Sequence, residues 1–357
     1  MKILYGVVGE GMGHAMRSRV VLEHLAAAGH QVETMASQRA VEYLRARFPD
    51  VHRIHGMHII YEENRVRRSK TLLSNVAQGA RAIPGQIRAY FELVDGFRPD
   101  VVISDFESWT YLYGKTHRLP VISLDNIQMI NRCFHDRAII EEDRAGFEFA
   151  RAFVKSKLPL AEHYLITTFY YPEVRKARTS LYPSILRPEI LSARATRGDH
   201  LLVYQTAEGN DALGAALAAC GLECRIYGMR RAIREDQLEG NLRFRPFSET
   251  AFIEDLASAR GVVAGGGFTL MSEAVYLRKP MLATPIGGQF EQTLNALYLE
   301  REGFGKYARA LDADTLRAFL TAMPRCESKL AQYSQDGNTR LFGALDTLLD
   351  RYAAGLS

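Results

Sequence analysis

The chain opens on a unit that leaves little choice of fold. Lys2-Ile-Leu-Tyr-Gly-Val-Val8 is a nearly continuous apolar run of strand length, and it stops at Gly9-Glu-Gly-Met-Gly-His14. From Ala15 to Ala28 the apolar residues Val20, Val21, Leu22 and Leu25 recur at helical spacing until Gly29 ends the pattern. Gln31 to Ala36 then reads as a second strand. Strand, glycine loop, helix and strand in that order make a βαβ unit, so a parallel sheet follows.

The pattern recurs along the 357 residues. Asp100 to Ser104 and Pro120 to Leu124 are further strands, and His163 to Thr168 is expected to be the last strand of the first half. Prolines thicken between Pro172 and Gly198, which reads as a linker. A fresh series follows it: His200–Tyr204, Cys224–Tyr227, Gly261–Ala264 and Pro280–Ala283. The expected class is α/β, with two Rossmann-like doubly wound domains, residues 1–182 and 183–340.

Composition narrows the setting. Hydrophobic residues make up 47% and charged residues 24%, as in an ordinary globular chain. Forty-five Lys and Arg against 41 Asp and Glu leave a net charge of +4, too small an excess to argue for nucleic acid. No run approaches the ~18 apolar residues of a membrane-spanning helix. Ile3 to Val8 falls short of the ~7–15 apolar residues of a signal-peptide core. Four cysteines in a chain of this length build no disulfide framework, so a cytoplasmic location is expected.

A glycine loop between strand and helix aims backbone N–H groups at an anion, or lets a ligand approach the main chain. Gly9 and Gly11 fit the dinucleotide fingerprint, but its third glycine is replaced by His14, and no acid ends the second strand. The triphosphate loop fails too, lacking a Gly-Lys-Ser/Thr ending. His14 stands where loop becomes helix, at the carboxyl edge of a parallel sheet. There the helix dipole favours a neutral, proton-accepting ring. The alternative is a capping or packing histidine.

The second half carries more. Gly261-Val-Val-Ala-Gly-Gly-Gly-Phe-Thr-Leu-Met-Ser-Glu-Ala274 runs a strand into three glycines at a helix start, which offers several N–H groups to a diphosphate. Glu273 lies in the first turns of that helix, where a carboxylate can accept two neighbouring hydroxyls. Glu291 and Gln292 open another helix after Pro285-Ile-Gly-Gly288. Both segments follow strand ends of one sheet, so they can converge on a polyhydroxylated ligand.

On these residues the stretch from about Pro246 to Gly305 resembles the donor-nucleotide site of GT-B glycosyltransferases. It is closest in pattern to the lipid II-forming peptidoglycan N-acetylglucosaminyltransferases and the UDP-glycosyltransferases. The loop Gly9–His14 resembles the acceptor-side loop of the same enzymes. The resemblance implies two domains facing across a cleft, with residues 341–357 a helix crossing back to the first. It implies inverting, metal-independent transfer of a sugar from a UDP- or dTDP-sugar to a hydroxyl or amine of a small-molecule or lipid-linked acceptor, with no cofactor. It gives His14 the role of general base and Asp105 that of the acid orienting it, with Glu107 and Glu10 as alternatives. Gly11 and Gly13 belong to the acceptor-side loop. Gly265, Gly266, Gly267, Phe268 and Thr269 match the diphosphate loop, and Glu273 the ribose acid. Gln289, Glu291 and Gln292 match the sugar-reading segment, and Phe247 the border of the base.

The plant-type signature has His, Trp, Asn and Ser where this chain has Gly265, Phe268, Thr269 and Leu270, so diphosphate binding would rely on backbone groups, helix dipole and Thr269. Two other readings stand beside the transferase: a nucleotide-sugar 2-epimerase of the same fold, and a non-catalytic sugar-nucleotide-binding module. Asp105 also reads as a helix cap.

Other motifs read more blandly. His52-x-x-His55-x-x-His58 lacks a cysteine or fixed carboxylate and reads as solvated or packing histidines. Asp312-x-Asp314 reads as a helix cap, and Cys220 and Cys224 as core thiols. Residues 64–91 carry Arg65, Arg67, Arg68, Lys70, Arg81 and Arg88 with no acid, and apolar residues at helical spacing. That segment reads either as a peripheral contact with the inner membrane face or an acidic acceptor, or as an ordinary helix pair broken at Pro84-Gly85.

Overall fold

The computed structural model describes residues 1–9, 11–54, 61–62, 65–66, 94–205 and 211–356. The segment 64–91 lies almost wholly outside them, as do Glu10, His55 and His58. The chain divides into two compact units, Met1–Arg187 with Asp336–Ser357, and Pro188–Gln335.

Unit 1 holds a seven-stranded sheet built from β1 (Lys2–Val7), β2 (Gln31–Ala36), β3 (Val51–Arg53), β6 (Val101–Asp105), β7 (Val121–Asp125), β8 (His163–Thr168) and β9 (Thr179–Pro183). Its order is β3-β2-β1-β6-β7-β8-β9, and every pairing is parallel. A separate antiparallel pair, β4 (Tyr61–Glu62) and β5 (Arg65–Val66), stands outside it. Apolar runs such as Val101–Ser104 and Val121–Leu124 are buried throughout, as expected of strands covered on both faces. The helix Met12–Ala27 buries Val20, Val21, Leu22 and Leu25 in the core and is followed by Gly29, whose φ of +78° suits a residue without Cβ.

β9 is a correction to the expected linker. Thr179-Ser-Leu-Tyr-Pro183 adds an edge strand beyond β8, and the helix Pro188–Ser192 follows. Its prolines read as loop punctuation, yet an edge strand tolerates a proline at its end because it has a side with no ladder to serve.

Unit 2 holds β10 (His200–Tyr204), β11 (Glu223–Tyr227), β12 (Gln237–Glu239), β13 (Leu242–Arg245), β14 (Gly261–Ala264), β15 (Met281–Ala283) and β16 (Gly305–Tyr307). The order is β12-β13-β11-β10-β14-β15-β16, with only β12 antiparallel to its neighbour. β3, β12, β13 and β16 have three or four residues each, too short for periodicity to announce them.

The helix Thr339–Ala353 returns to unit 1 and places Leu341, Leu345, Leu348 and Leu349 in its core, each burial contributing about 1.5–3 kcal/mol. His24 stacks on Phe342 at 4.0 Å and bonds Asp346 at 2.8 Å. No helix among the described residues is long and apolar enough to cross a membrane.

Among the parallel strands of each sheet the order reverses between β1 and β6 and between β10 and β14. Such a switch point opens a crevice at the carboxyl ends of the strands, where doubly wound sheets bind ligands.

Candidate active site

Each switch point carries one of the two glycine loops. In unit 1 the helix after β1 begins at Met12, earlier than its apolar period suggests, so His14 lies in its first turn. Gly9 is required where it stands: a Cβ would strike the Ser37 carbonyl, and its N–H donates to Ser37 Oγ at 2.8 Å. Gly11 precedes the helix with open space around it, and Gly13 lies within the first turn.

His14 and Asp105, ninety-one positions apart, meet here. His14 Nδ1 is 2.9 Å from Asp105 Oδ1. Asp105 is fully buried at the end of β6, and four donors close on it. Arg17 Nε donates to Oδ2 at 2.8 Å and Arg17 Nη2 to Oδ1, while Ser18 Oγ donates to Oδ2 at 3.1 Å. Burial alone would raise this carboxyl, but the charges of Arg17 and His14 and their hydrogen bonds outweigh it and hold it at about 2. Asp105 is therefore a carboxylate that only accepts. A neutral ring that donates to it from Nδ1 keeps its lone pair on Nε2. Arg17 Nη2 also lies 2.6 Å from Nδ1, and both nitrogens border Oδ1.

Nothing in the sequence singles out Arg17. His14, Arg17 and Ser18 fall at i, i+3 and i+4, so the helix presents them on one face. A basic residue on a helix ordinarily reads as solvated, but Arg17 is only 4% exposed. Its Nη1 also reaches Asn126 Oδ1 at 3.3 Å. Asp125, at the end of β7, is a second buried carboxyl nearby; burial and then the charge of Asp105 push it up to about 6. Ser123 Oγ and the Gln128 N–H donate to it at 2.9 and 2.8 Å.

The competition between Asp105 and its neighbours resolves in the backbone. Phe106 takes φ +56°, a left-handed conformation uncommon for a bulky residue, and the strand ends there. Glu107 then caps the helix Ser108–Thr116, accepting from Trp109 N at 2.9 Å and Thr110 N at 2.7 Å. The capping role suggested for Asp105 belongs to Glu107, and Asp105 is the acid beside His14.

Unit 2 builds its edge from main chain. Gly265, Gly266 and Gly267 follow β14 and lead into the helix Phe268–Tyr276. A Cβ on Gly266 would lie 2.6 Å from Gln292 Cβ, so the loop and the helix Phe290–Arg301 approach closely only because of that glycine. Gln292 Oε1 accepts from Gly266 N at 3.3 Å and Ile286 N at 3.1 Å, while its Nε2 donates to Gln289 Oε1. Asn295 Nδ2 bridges the Gly266 carbonyl at 3.5 Å and Glu291 Oε1 at 3.2 Å. The two motif segments thus converge, and Gln292 is engaged in bracing them. Phe268 is buried, which leaves its backbone as the group it can offer a ligand, and Thr269 is half-buried. Glu273 is buried within the same helix.

Phe247 stands 59% exposed, edge-on to Tyr227 at 6.5 Å and tilted against Phe252 at 6.0 Å. Asp255 fixes this platform, accepting from Tyr227 OH at 2.6 Å, Arg225 Nη1 at 2.6 Å and Arg245 Nη1 at 2.5 Å. Asp312 caps the helix Ala313–Leu330 through Thr315 N at 2.8 Å, and His52 bonds Glu33 at 2.5 Å. Among the described residues no three His, Cys, Asp or Glu cluster as metal ligands.

Comparison with known proteins agrees with this architecture. Residues 1–324 match the family described as Glycosyl transferase family 1. An uncharacterized glycosyltransferase of Methanosarcina mazei is 22% identical over 329 residues, covering 86% of this chain and 85% of that protein. A UDP-N-acetylglucosamine–N-acetylmuramyl-(pentapeptide) pyrophosphoryl-undecaprenol N-acetylglucosamine transferase of Bacillus thuringiensis is 25% identical over 363 residues, covering 94% and 93%. Among solved structures, the glycotransferase of kitacinnamycin superposes with a TM-score of 0.67 at 16% identity, covering 98% of each chain. The spinosyn rhamnosyltransferase SpnG complexed with thymidine diphosphate gives 0.60 at 18% identity, covering 93% of this chain and 95% of its own. Two doubly wound sheets with glycine loops at their switch points, and a family match spanning most of the sequence, make this chain a GT-B glycosyltransferase that belongs to glycosyl transferase family 1.

Proposed function

We propose that the enzyme is inverting and metal-independent, moving a sugar from a UDP- or dTDP-sugar to a hydroxyl or amine of a small-molecule or lipid-linked acceptor. The observation that carries this reading is the hydrogen bond between His14 Nδ1 and the ionised Asp105 at the unit 1 switch point. It leaves Nε2 as the group that takes the acceptor's proton while the acceptor attacks the anomeric carbon. The unit 2 loop, Gly265 to Thr269, holds the leaving diphosphate through N–H groups and the helix N-terminus, which stabilise the charge that builds there without a cation. Glu273 takes the ribose hydroxyls, Phe247 borders the base, and Gln289, Glu291 and Gln292 line the sugar. The thymidine diphosphate in the spinosyn enzyme supports a nucleotide donor for this fold.

Incubation with a panel of UDP- and dTDP-sugars, with and without acceptors, reads the proposal directly. Nucleoside diphosphate release that needs an acceptor and persists in EDTA is expected. Activity lost in EDTA and restored by Mg²⁺ or Mn²⁺ sinks the metal-free diphosphate site. Sugar isomerisation without an acceptor turns the reading to a 2-epimerase, and tight nucleotide binding with no turnover turns it to a binding module.

A further inference from the structure

At the edge of unit 2's sheet opposite the glycine loop, the turn from the helix Asp211–Ala218 into β11 brings two cysteines together. Cys224 is fully buried on β11, held between β10 and β13, and Cys220 is partly exposed on the turn. Their sulfurs are 3.6 Å apart. The turn itself is fixed. Gly221 takes φ +75°, and Asn241 Nδ2 donates to the carbonyls of Leu217 at 3.0 Å and Leu222 at 2.8 Å. Both thiols also reach the Leu222 carbonyl, at 3.7 and 3.6 Å.

We propose that Cys220 and Cys224 are a redox dithiol that a low-molecular-weight disulfide, such as oxidised glutathione, converts to an intramolecular disulfide. The sulfurs need close only from 3.6 Å to the ~2.05 Å of an S–S bond, on a turn already set. Cys220 is the attacking sulfur: the hydrogen bond from Cys224 holds its thiol below the ordinary value, and it is the accessible member. Its thiolate attacks one sulfur of oxidised glutathione, forming a mixed disulfide and expelling one glutathione thiolate. Cys224 then loses its proton and attacks the Cys220 sulfur, expelling the second. Two protein thiols are oxidised, and one glutathione disulfide is reduced to two glutathiones. The buried Cys224 needs no access to the oxidant, because its partner is already in place.

The test treats the folded, reduced protein with oxidised glutathione, then denatures, alkylates and weighs it. Wild type is expected to lose two of its four alkylatable thiols, retain no glutathione, and yield a peptide spanning 220 and 224 that is lighter by two hydrogens. Cys224→Ser is expected to retain one glutathionyl group, on Cys220, and Cys220→Ser to stay unreacted. Wild type that keeps all four thiols, retains glutathione on Cys220, or cross-links between chains overturns the proposal. Should Cys224→Ser fail to fold, the wild-type and Cys220→Ser results decide alone. None of these readouts involves glycosyl transfer, so the dithiol stands or falls apart from the catalytic reading.

Discussion

The two switch points share a topology and differ in what they are made of. In unit 1 the edge is assembled from ionisable side chains: His14 and Arg17 from one helix, Asp105 and Asp125 from two strand ends. In unit 2 it is assembled from backbone, with three glycines and an amide side chain, Gln292, that ties the N–H of one of them, Gly266, to that of Ile286 in the next loop. A proton-transfer site must place a titratable group and fix its tautomer, which takes a buried network of charge. A diphosphate site must offer many weak donors at close range, which takes a main chain without Cβ atoms. One edge is therefore sensitive to pH and the other to volume.

Four substitutions and conditions sharpen that contrast. His14→Ala should lower turnover by about 10²–10⁴ while nucleotide affinity stays near wild type, because the role proposed for His14 is that of a base acting on the acceptor. Full transfer rate in that variant would remove the proton-accepting role from His14 and move it to Asp105, Glu107 or Glu10. Arg17→Leu leaves Asp105 buried without its ionic partner and should destabilise the fold by about 3–5 kcal/mol in urea titration. A loss under 1 kcal/mol would mean that Arg17 is dispensable to the network.

The pH dependence of stability should show two opposing limbs from the two acids. Asp105, lowered to about 2, contributes stability that is present above its unfolded value of 3.8 and lost as pH falls toward 2. Asp125, raised to about 6, contributes stability that is full below 3.8 and lost as pH rises through 6. Each limb is on the order of 2–3 kcal/mol. Denaturation midpoints of wild type and Asp125→Asn across that range check it: the upper limb should flatten in the variant, and an unchanged limb would exonerate Asp125. The smallest effect belongs to unit 2. Gly266→Ala forces the loop away from Gln292 and should cost about 1–3 kcal/mol, seen chiefly as weaker nucleoside diphosphate binding by calorimetry. The factor by which the substitution weakens binding should be the same through the pH range that moves unit 1; a factor that changes with pH would erase the distinction.

How much of this was legible in the sequence follows the same division. β2 and β8 have the bounds that their apolar runs give, and the glycine loops sit where strand meets helix. The position of the unit 2 glycine loop was legible because glycine has few other reasons to occur three times in a row at a helix start. Arg17 and Asp125 were not, because burial of a charge is decided by what faces it across the sheet, and nothing in the local spacing of Arg17 reports Asp105 eighty-eight positions on. Asp105 and Glu107 could not be separated by type or position; the left-handed Phe106 between them assigns one to the histidine and the other to a helix cap. β9 was hidden by prolines that an edge strand accommodates.

The return of residues 336–357 to unit 1 has a consequence for the order in which the enzyme comes into being. On a ribosome the second unit is a continuous stretch, complete once Gln335 has emerged. The first unit, although begun earlier, lacks Leu341, Leu345, Leu348 and Leu349 from its core until the helix Thr339–Ala353 has emerged. Unit 2 can thus finish folding before unit 1 does, and the nascent chain presents an unfilled apolar groove on its older half throughout synthesis of the younger. The unit that holds the charged network is the one that must wait.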